Sequence, residues 1–407
     1  MRVVSLFTGA GGLDLGLEAA GFETRVAVEF DGQAAQTLCE NTEWPVIERD
    51  IHSVPSDELL HTAGLDVEKT DLLVGGPPCQ PFSKSAYWAT GDSRRLDDPR
   101  ASTLEQYLRV LRDLRPRVFL LENVPGLGYA GKNEGLELLR TVVAAVNRDA
   151  GTRYRIVAKV LNAADYGVPQ ERERLFVVGH RDGEVFRFPE PTHARVGANA
   201  PQLPLRPLLP AMTAWDAIGD LPPEGDEDGL EVGGKWAELL PTIPEGMNYL
   251  FHTDRGGGLP LFGWRRRFWN FLLKLARDRP SWTITAQPGS ATGPFHWENR
   301  RLSRRELCRL QTFPNGYHVT GSLRDAQRQL GNAVPSALAE ALGRSMAHQF
   351  FGAEVQEELT LLPPYRRPVP PAPDPAAVPE RFAELAGDHS PHPGTGKGFA
   401  ALARAES

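Results

Sequence analysis

The sequence predicts an α/β fold, a doubly wound and mostly parallel sheet, joined to a second, smaller and irregular domain. Two observations carry that reading. Up to about residue 190, apolar runs of strand length alternate with amphipathic helical stretches, the pattern of consecutive βα units. From Pro189 to about residue 260 the alternation stops, and prolines, glycines and acids crowd together. At 407 residues the chain is long enough for two domains. The expected division is 1–190, completed by about 315–352, for the first domain and 191–314 for the second. The stretch 362–407 carries ten prolines and no apolar period, so a flexible tail is expected there.

Composition excludes several classes. The chain is 41% hydrophobic and 24% charged, as in ordinary globular proteins, and has no run of 18 apolar residues to cross a membrane. It moves straight into a strand, with no signal-peptide pattern. Three cysteines, Cys39, Cys79 and Cys308, are too few and too scattered for a disulfide framework or a cysteine-based zinc site. A cytoplasmic protein with reduced thiols and no metal is expected.

Taken in order, Val3 to Phe7 is a strand, followed by Thr8-Gly9-Ala10-Gly11-Gly12 and a helix from Leu13 to Ala20. Glycines between strand and helix let a ligand approach backbone N–H groups; a turn with no ligand is the plainer reading. The second strand, Thr24 to Glu29, ends in an acid 20 residues after Gly9, the spacing at which a carboxylate can accept the hydroxyls of a ribose. Position 14 is Asp rather than a third fingerprint glycine, so NAD is disfavoured and another nucleoside-containing cofactor remains. A third strand at Val46-Ile47 leads to Asp50 and Ile51, where an acid suits an adenine edge.

Thr70 to Val74 is a buried strand that runs into Gly75-Gly76-Pro77-Pro78-Cys79. The two prolines stiffen the backbone around a single thiol at the strand's carboxyl end, where open α/β sheets place ligands. Cys79 is a candidate nucleophile, against the alternative of a small buried cysteine. Ser102 to Asp113 is helical, and Arg117 to Leu121 is a strand ending in Glu122-Asn123-Val124. A carboxyl directly after core residues is seldom left without a partner. Leu136 to Asn147 is helical, and Tyr154 to Leu161 is a strand. Gln170-Glu171-Arg172-Glu173-Arg174 precedes another strand, Leu175 to Gly179. Arg172 and Arg174 lie on one side at period 2 and can converge on an anionic or carbonyl target.

The formal net charge is −7, yet between Gly263 and Arg305 ten Lys/Arg face two acids, a net of +8. Aromatic residues interleave with them: Phe262, Trp264, Phe268, Trp269 and Trp282. A basic-aromatic stretch in an acidic chain is the footprint of a phosphate-contacting face; a solvated helix face is the alternative. Ser303 caps a helix, and Leu330-Gly331-Asn332-Ala333-Val334-Pro335 opens a last helix running to about His348.

Six stretches in one order carry a resemblance. Residues 1–350 resemble the DNA (cytosine-5)-methyltransferases. Ser5 to Gly16 is similar to the first motif, Gly76 to Ser83 to the Pro-Cys-Gln motif, and Glu122-Asn123-Val124 to the Glu-Asn-Val motif. Gln170-x-Arg172-x-Arg174 matches the Gln-x-Arg-x-Arg motif, Arg301 to Pro314 the ninth motif, and Gly331 to Pro335 the tenth. Ser5 stands where Asp is common, Phe30 where Trp is frequent and Thr312 where Gly is usual, and none of these is a reactive group.

The resemblance implies the S-adenosylmethionine-dependent methyltransferase fold with a target-recognition domain. S-adenosylmethionine, leaving as S-adenosylhomocysteine, would lie against Phe7, Gly9, Gly11, Glu29, Phe30, Asp50, Ile51, Pro78, Leu104 and Asn332. Leu104 reads equally well as core. Cys79, Glu122, Gln170, Arg172 and Arg174 would form the catalytic set, with Cys79 adding to cytosine C6 and Glu122 holding N3 and the exocyclic amine. Double-stranded DNA is the implied substrate, and a cognate restriction endonuclease the implied partner of a protein expected to act as a monomer. A tRNA cytosine methyltransferase and a catalytically silent DNA-binding protein are the alternatives.

Overall fold

The computed structural model describes residues 1–78, 102–128, 134–195, 207–222, 229–263, 269–354 and 358–387. Its centre is a seven-stranded sheet in the order β3-β2-β1-β4-β5-β7-β6. The strands are β1 (Arg2–Leu6), β2 (Glu23–Glu29), β3 (Val46–Glu48), β4 (Leu72–Gly75), β5 (Val118–Asn123), β6 (Arg155–Asn162) and β7 (Glu173–His180). Between them run α1 (Gly12–Ala19), α2 (Gly32–Asn41), α3 (Ser56–Ala63), α4 (Ser102–Leu114) and α5 (Glu134–Ala150). β1 pairs in parallel with β2 on one side and β4 on the other. The winding reverses at that point, and the crevice beyond the carboxyl ends of β1 and β4 is where such sheets bind ligands.

The sheet is doubly wound, as expected. On one face α3, α4 and α5 cover Val4, Leu6, Leu73, Phe119 and Leu121. On the other, α1 and a late helix, α9 (Ser336–Phe351), cover Val3, Leu72, Val74 and Leu120. One strand departs from the parallel pattern: β7 is antiparallel to both β5 and β6. The link from Asn162 to Glu173 holds one short 3-10 turn, Ala163–Tyr166, and is too short for a crossover helix, so the chain returns in the opposite sense.

Other differences have similar local causes. α2 is an addition; it buries Ala34, Ala35, Thr37 and Leu38, a face too small to stand out as an apolar period. Gly331 and Asn332 do not open the last helix but close a separate one, α8 (Leu323–Asn332). Pro335 disfavours helical geometry in the residue before it, so α9 restarts at Ser336.

The second unit has no sheet of its own among the described residues. α6 (Ala214–Ile218) and α7 (Arg304–Leu310) pack with Leu275, Ile284, Trp297 and Leu330. As expected, Ser303 caps α7, in a reciprocal arrangement with Glu306. Beyond them lies an aromatic cluster in which Trp236, Tyr249 and Phe262 meet Phe271 at near-perpendicular or tilted ring angles.

The flexible tail expected from residue 362 is not what residues 358–387 form. They lie along the protein as a strap, including the one-turn helix α10 (Glu380–Ala383), and end with Phe382 buried in that aromatic cluster. Backbone N–H groups and the Arg367 guanidinium hold the strap to buried carboxylates, a kind of anchor that composition does not display.

α1 packs closely on α9. A Cβ on Gly16 would collide with the Ser336 carbonyl and the Ala339 side chain. Gly16→Ala should therefore destabilise the protein by about 1–3 kcal/mol, read as a lowered midpoint in chemical unfolding. An unchanged midpoint would mean that the two helices can part at little cost.

Candidate active site

The glycine loop after β1 is shaped by backbone geometry more than by space. Phe7, Gly9 and Gly11 all have positive φ (55°, 58° and 81°), and Gly11 caps α1 in the left-handed region. A Cβ on Gly9 would touch nothing, so glycine is needed there for its conformation and leaves the loop open. The Gly9 N–H donates to Glu29 Oε2 at 2.6 Å, and the Asp31 N–H donates to Oε1 at 2.8 Å. Burial pushes the Glu29 carboxyl above its usual range, while those two N–H groups pull it back. Glu29 is thereby fixed against the loop, with lone pairs to spare for further donors. Asp31 caps α2 through the Ala34 N–H and pairs with Arg328 of α8.

Next to Glu29, the Phe30 ring is 74% exposed at the end of β2. Asp50 starts a 3-10 turn and accepts from the N–H and ring Nδ1 of His52, which holds its carboxyl below the ordinary value. Ile51 is buried in the same core cluster as Leu104, and Leu104 is a core side chain packed near Leu127 and Gly135. Asn332 is exposed at the end of α8. The donor set fits a nucleoside: a carboxylate for a diol, an open glycine loop, an exposed ring and a second acid for an amino edge. Among the described residues no group of three or more His, Cys, Asp or Glu could hold a metal ion.

The second half of the site lies past β4. Asn123 Nδ2 donates to the Pro77 carbonyl at 3.1 Å, and Thr103 Oγ1 donates to the Pro78 carbonyl at 3.2 Å. These two side chains tie down the turn that leads to Cys79. Cys79 itself lies outside the described residues, as do Gln80 to Ser83. A Cβ on Gly76 would sit 2.8 Å from Glu122 Oε2, so glycine there makes room for the carboxyl.

Glu122 is buried at the end of β5 and pairs with Arg174 Nε at 2.9 Å. Burial raises its pKa, and the Arg174 and Arg172 charges work against that rise. The two arginines part company. Arg174 reaches the carboxylate; Arg172, fully buried, gives Nη1 to the Ile284 carbonyl (3.1 Å) and Nη2 to the Gly331 carbonyl (2.7 Å). Its Nε has no partner among the described residues. Burial disfavours the Arg172 charge, but a guanidinium stays protonated at neutral pH. Gln170 is just as buried. It donates to Gln311 Oε1 at 3.0 Å and accepts from the Ile284 N–H at 3.0 Å.

Sequence reasoning brought Gln170 and Arg172 to the site as reacting groups. In the structure they bond to three later segments, around residues 284, 311 and 331. Sequence reasoning passed over Thr103, and read Asp14 only as a departure from the dinucleotide fingerprint. A turn of two prolines before a reactive residue signals that something must anchor its carbonyls, which points to Thr103. For Asp14 the signal is an acid inside an apolar helical face.

A scan of protein families places residues 1–348 in the family described as C-5 cytosine-specific DNA methylase. The chain belongs to this family. It is a DNA (cytosine-5)-methyltransferase, similar in sequence to the type II methyltransferase M.SacI of Streptomyces achromogenes: 42% identity over 372 residues, 86% of this chain and 93% of that one. The type II methyltransferase M.NgoFVII of Neisseria gonorrhoeae is 35% identical over 350 residues, 85% and 86% of the two chains. Among solved structures, the fold is shared with a methyltransferase encoded in an Escherichia coli prophage (TM-score 0.58, 22% identity, 86% of this chain and 99% of that one). Entamoeba histolytica EhMeth shares it too (TM-score 0.57, 14% identity, 85% and 98%).

Asp14, in the first turn of α1 beneath the glycine loop, is fully enclosed and its Oδ1 has no partner among the described residues. Burial raises its pKa to about 7, against a hydrogen bond from Ser5. A carboxyl raised on folding favours the native state below its unfolded pKa and loses that advantage as pH climbs to the folded one. His193 and His296, lowered by burial to about 4 and about 3, act in the opposite sense on the acid side. Asp14→Asn should therefore gain stability over the parent between about pH 4 and 7, approaching about 4 kcal/mol at the top. Paired urea titrations across that range read it, and a difference that does not grow with pH would contradict the assignment.

Proposed function

We propose that the enzyme transfers a methyl group from S-adenosylmethionine to C5 of a cytosine within a specific short sequence of double-stranded DNA. The observation that carries this reading is the buried Glu122 carboxyl, fitted against Gly76 and held by Arg174, beside the anchored Pro77-Pro78 turn that leads to Cys79.

The cofactor would rest on Phe7, Gly9 and Gly11, with Glu29 taking the ribose hydroxyls and Phe30 covering the adenine. Asp50 would take the exocyclic amine, and Ile51, Pro78, Leu104 and Asn332 would complete the pocket. When bound, S-adenosylmethionine supplies an electrophilic methyl group on a sulfonium. C5 of cytosine is a weak nucleophile and needs activation by this chain. The Cys79 thiolate adds to C6, forming a sulfur–carbon bond and moving the C5–C6 π pair to C5. Glu122 accepts from the exocyclic amine and, in its protonated form, donates to N3, neutralising the charge that builds on the ring. The raised pKa of Glu122 suits that second task. After the methyl group is gained at C5, a water molecule takes the C5 proton, the electron pair re-forms the C5–C6 double bond, and the thiolate is expelled. Gln170 and Arg172 keep β7 and Arg174 in register for these steps.

A base stacked in a duplex exposes neither face to a thiol, so the target cytosine would be flipped out, at a cost of a few kcal/mol. Residues 191–314, with the basic stretch from Gly263 to Arg305, would contact phosphates and read base edges. The relatives named type II methyltransferases support a place beside a restriction endonuclease. We propose further that the enzyme acts in the cytoplasm as a monomer. The same family match favours DNA over tRNA.

Expression in a host without cytosine methylation, followed by bisulfite sequencing, tests the reading. Methylation is expected at one short motif, absent with Cys79→Ala and reduced at least about 100-fold with Glu122→Gln. Methylation that survives Cys79→Ala would eliminate the covalent route. Unmethylated DNA together with methylated tRNA would replace the substrate.

A further inference from the structure

The family match ends at residue 348, before the strap. What the strap holds together is legible from its anchors. At its start, Glu340 on α9, fully buried, accepts from the Thr360 N–H (2.8 Å), the Thr360 hydroxyl (2.8 Å) and the Leu361 N–H (3.0 Å). Leu359, Leu361 and Leu362 pack on the core under the sheet. Midway, the Arg366 N–H donates to Asp216 on α6 at 2.6 Å, and the Arg366 guanidinium reaches Asp220 at 2.8 Å. Arg367 adds a second contact to Asp216 at 3.3 Å.

Farther along, Arg277 donates to the Pro371 carbonyl and the Ala376 N–H to the Pro241 carbonyl. At the end Phe382, 3% exposed, stacks on Trp236 with ring centroids 6.0 Å apart. One strand of chain is thus fastened in turn to the sheet core, to α6 and to the aromatic cluster of the second unit. Between the last two it is exposed and rich in proline, which lacks an N–H and favours a stiff extended path.

We propose that this strap sets the placement of the target-recognition unit over the sheet, and that Phe382 is a positioning residue for DNA. The inference rests on the methyltransferase reading above. The cofactor loop, Glu29 and Glu122 are all held by contacts the strap does not make, so the strap bears on duplex binding and not on cofactor binding or on the chemical step.

The test uses the full chain and an unmethylated duplex carrying the mapped motif. Phe382→Ala should raise KM for DNA about tenfold, with kcat and KM for S-adenosylmethionine within about twofold of the parent, and Phe382→Leu should recover most of the loss. A triple Pro370→Gly, Pro373→Gly and Pro375→Gly variant, which softens exposed chain and removes no buried group, should raise KM for DNA about threefold. The triple variant decides the matter if Phe382→Ala does not fold. Unchanged KM for DNA in the folded variants, or a parallel rise in KM for S-adenosylmethionine, would overturn the proposal. An inactive parent enzyme would count against the methyltransferase reading instead.

Discussion

Arg172 and Gln170 are buried side chains whose polar atoms bond to segments 110–160 residues further along the chain. Through them the start of β7 is tied to the second unit, to the end of α7 and to the end of α8. Ile284 belongs to the second unit, Gln311 follows the helix that supports it, and Gly331 ends α8. A buried carbonyl left without a donor costs about 1–3 kcal/mol, so each of these segments has one low-energy place. The antiparallel strand β7 then carries that geometry to Arg174 and on to Glu122. The second unit and the Glu122 carboxyl are thereby joined by a short series of contacts.

The two ends of the crevice are built on different logic. After β1 the work falls to the backbone: positive φ at three loop positions and N–H groups aimed at a single carboxylate. After β4 it falls to side chains that hold carbonyls, Asn123 on Pro77 and Thr103 on Pro78. A loop that must admit a large ligand gains from open backbone. A turn that must present one atom gains from restraint.

Much of this was legible in the residues. Apolar runs of four or five placed the strands to within a residue or two, and the 20-residue spacing from Gly9 to Glu29 corresponds to a direct hydrogen bond. What sequence could not display shares one physical cause, distance along the chain. Arg172 reads as a reactive cation because its carbonyl partners lie more than 100 residues away. The strap reads as disorder because prolines dominate its composition, whereas its attachment depends on Glu340, Asp216 and a single phenylalanine. The reversal of β7 is a matter of loop length and was open to inference. Cys79 lies outside the described residues.

The packing of α1 beneath α9 has a consequence for biosynthesis. The Tyr317 hydroxyl that holds the Ala10 carbonyl is 307 residues downstream, and the helix that covers Leu13 and Leu17 begins later still. A nascent chain can pair its first strands early and lay its first helix on the sheet, but the helix that covers the other side of Leu13 and Leu17 starts only at Ser336. Until then that side is uncovered, and the Ala10 carbonyl lacks the Tyr317 hydroxyl. The first helix of the sheet domain is thus completed by one of the last.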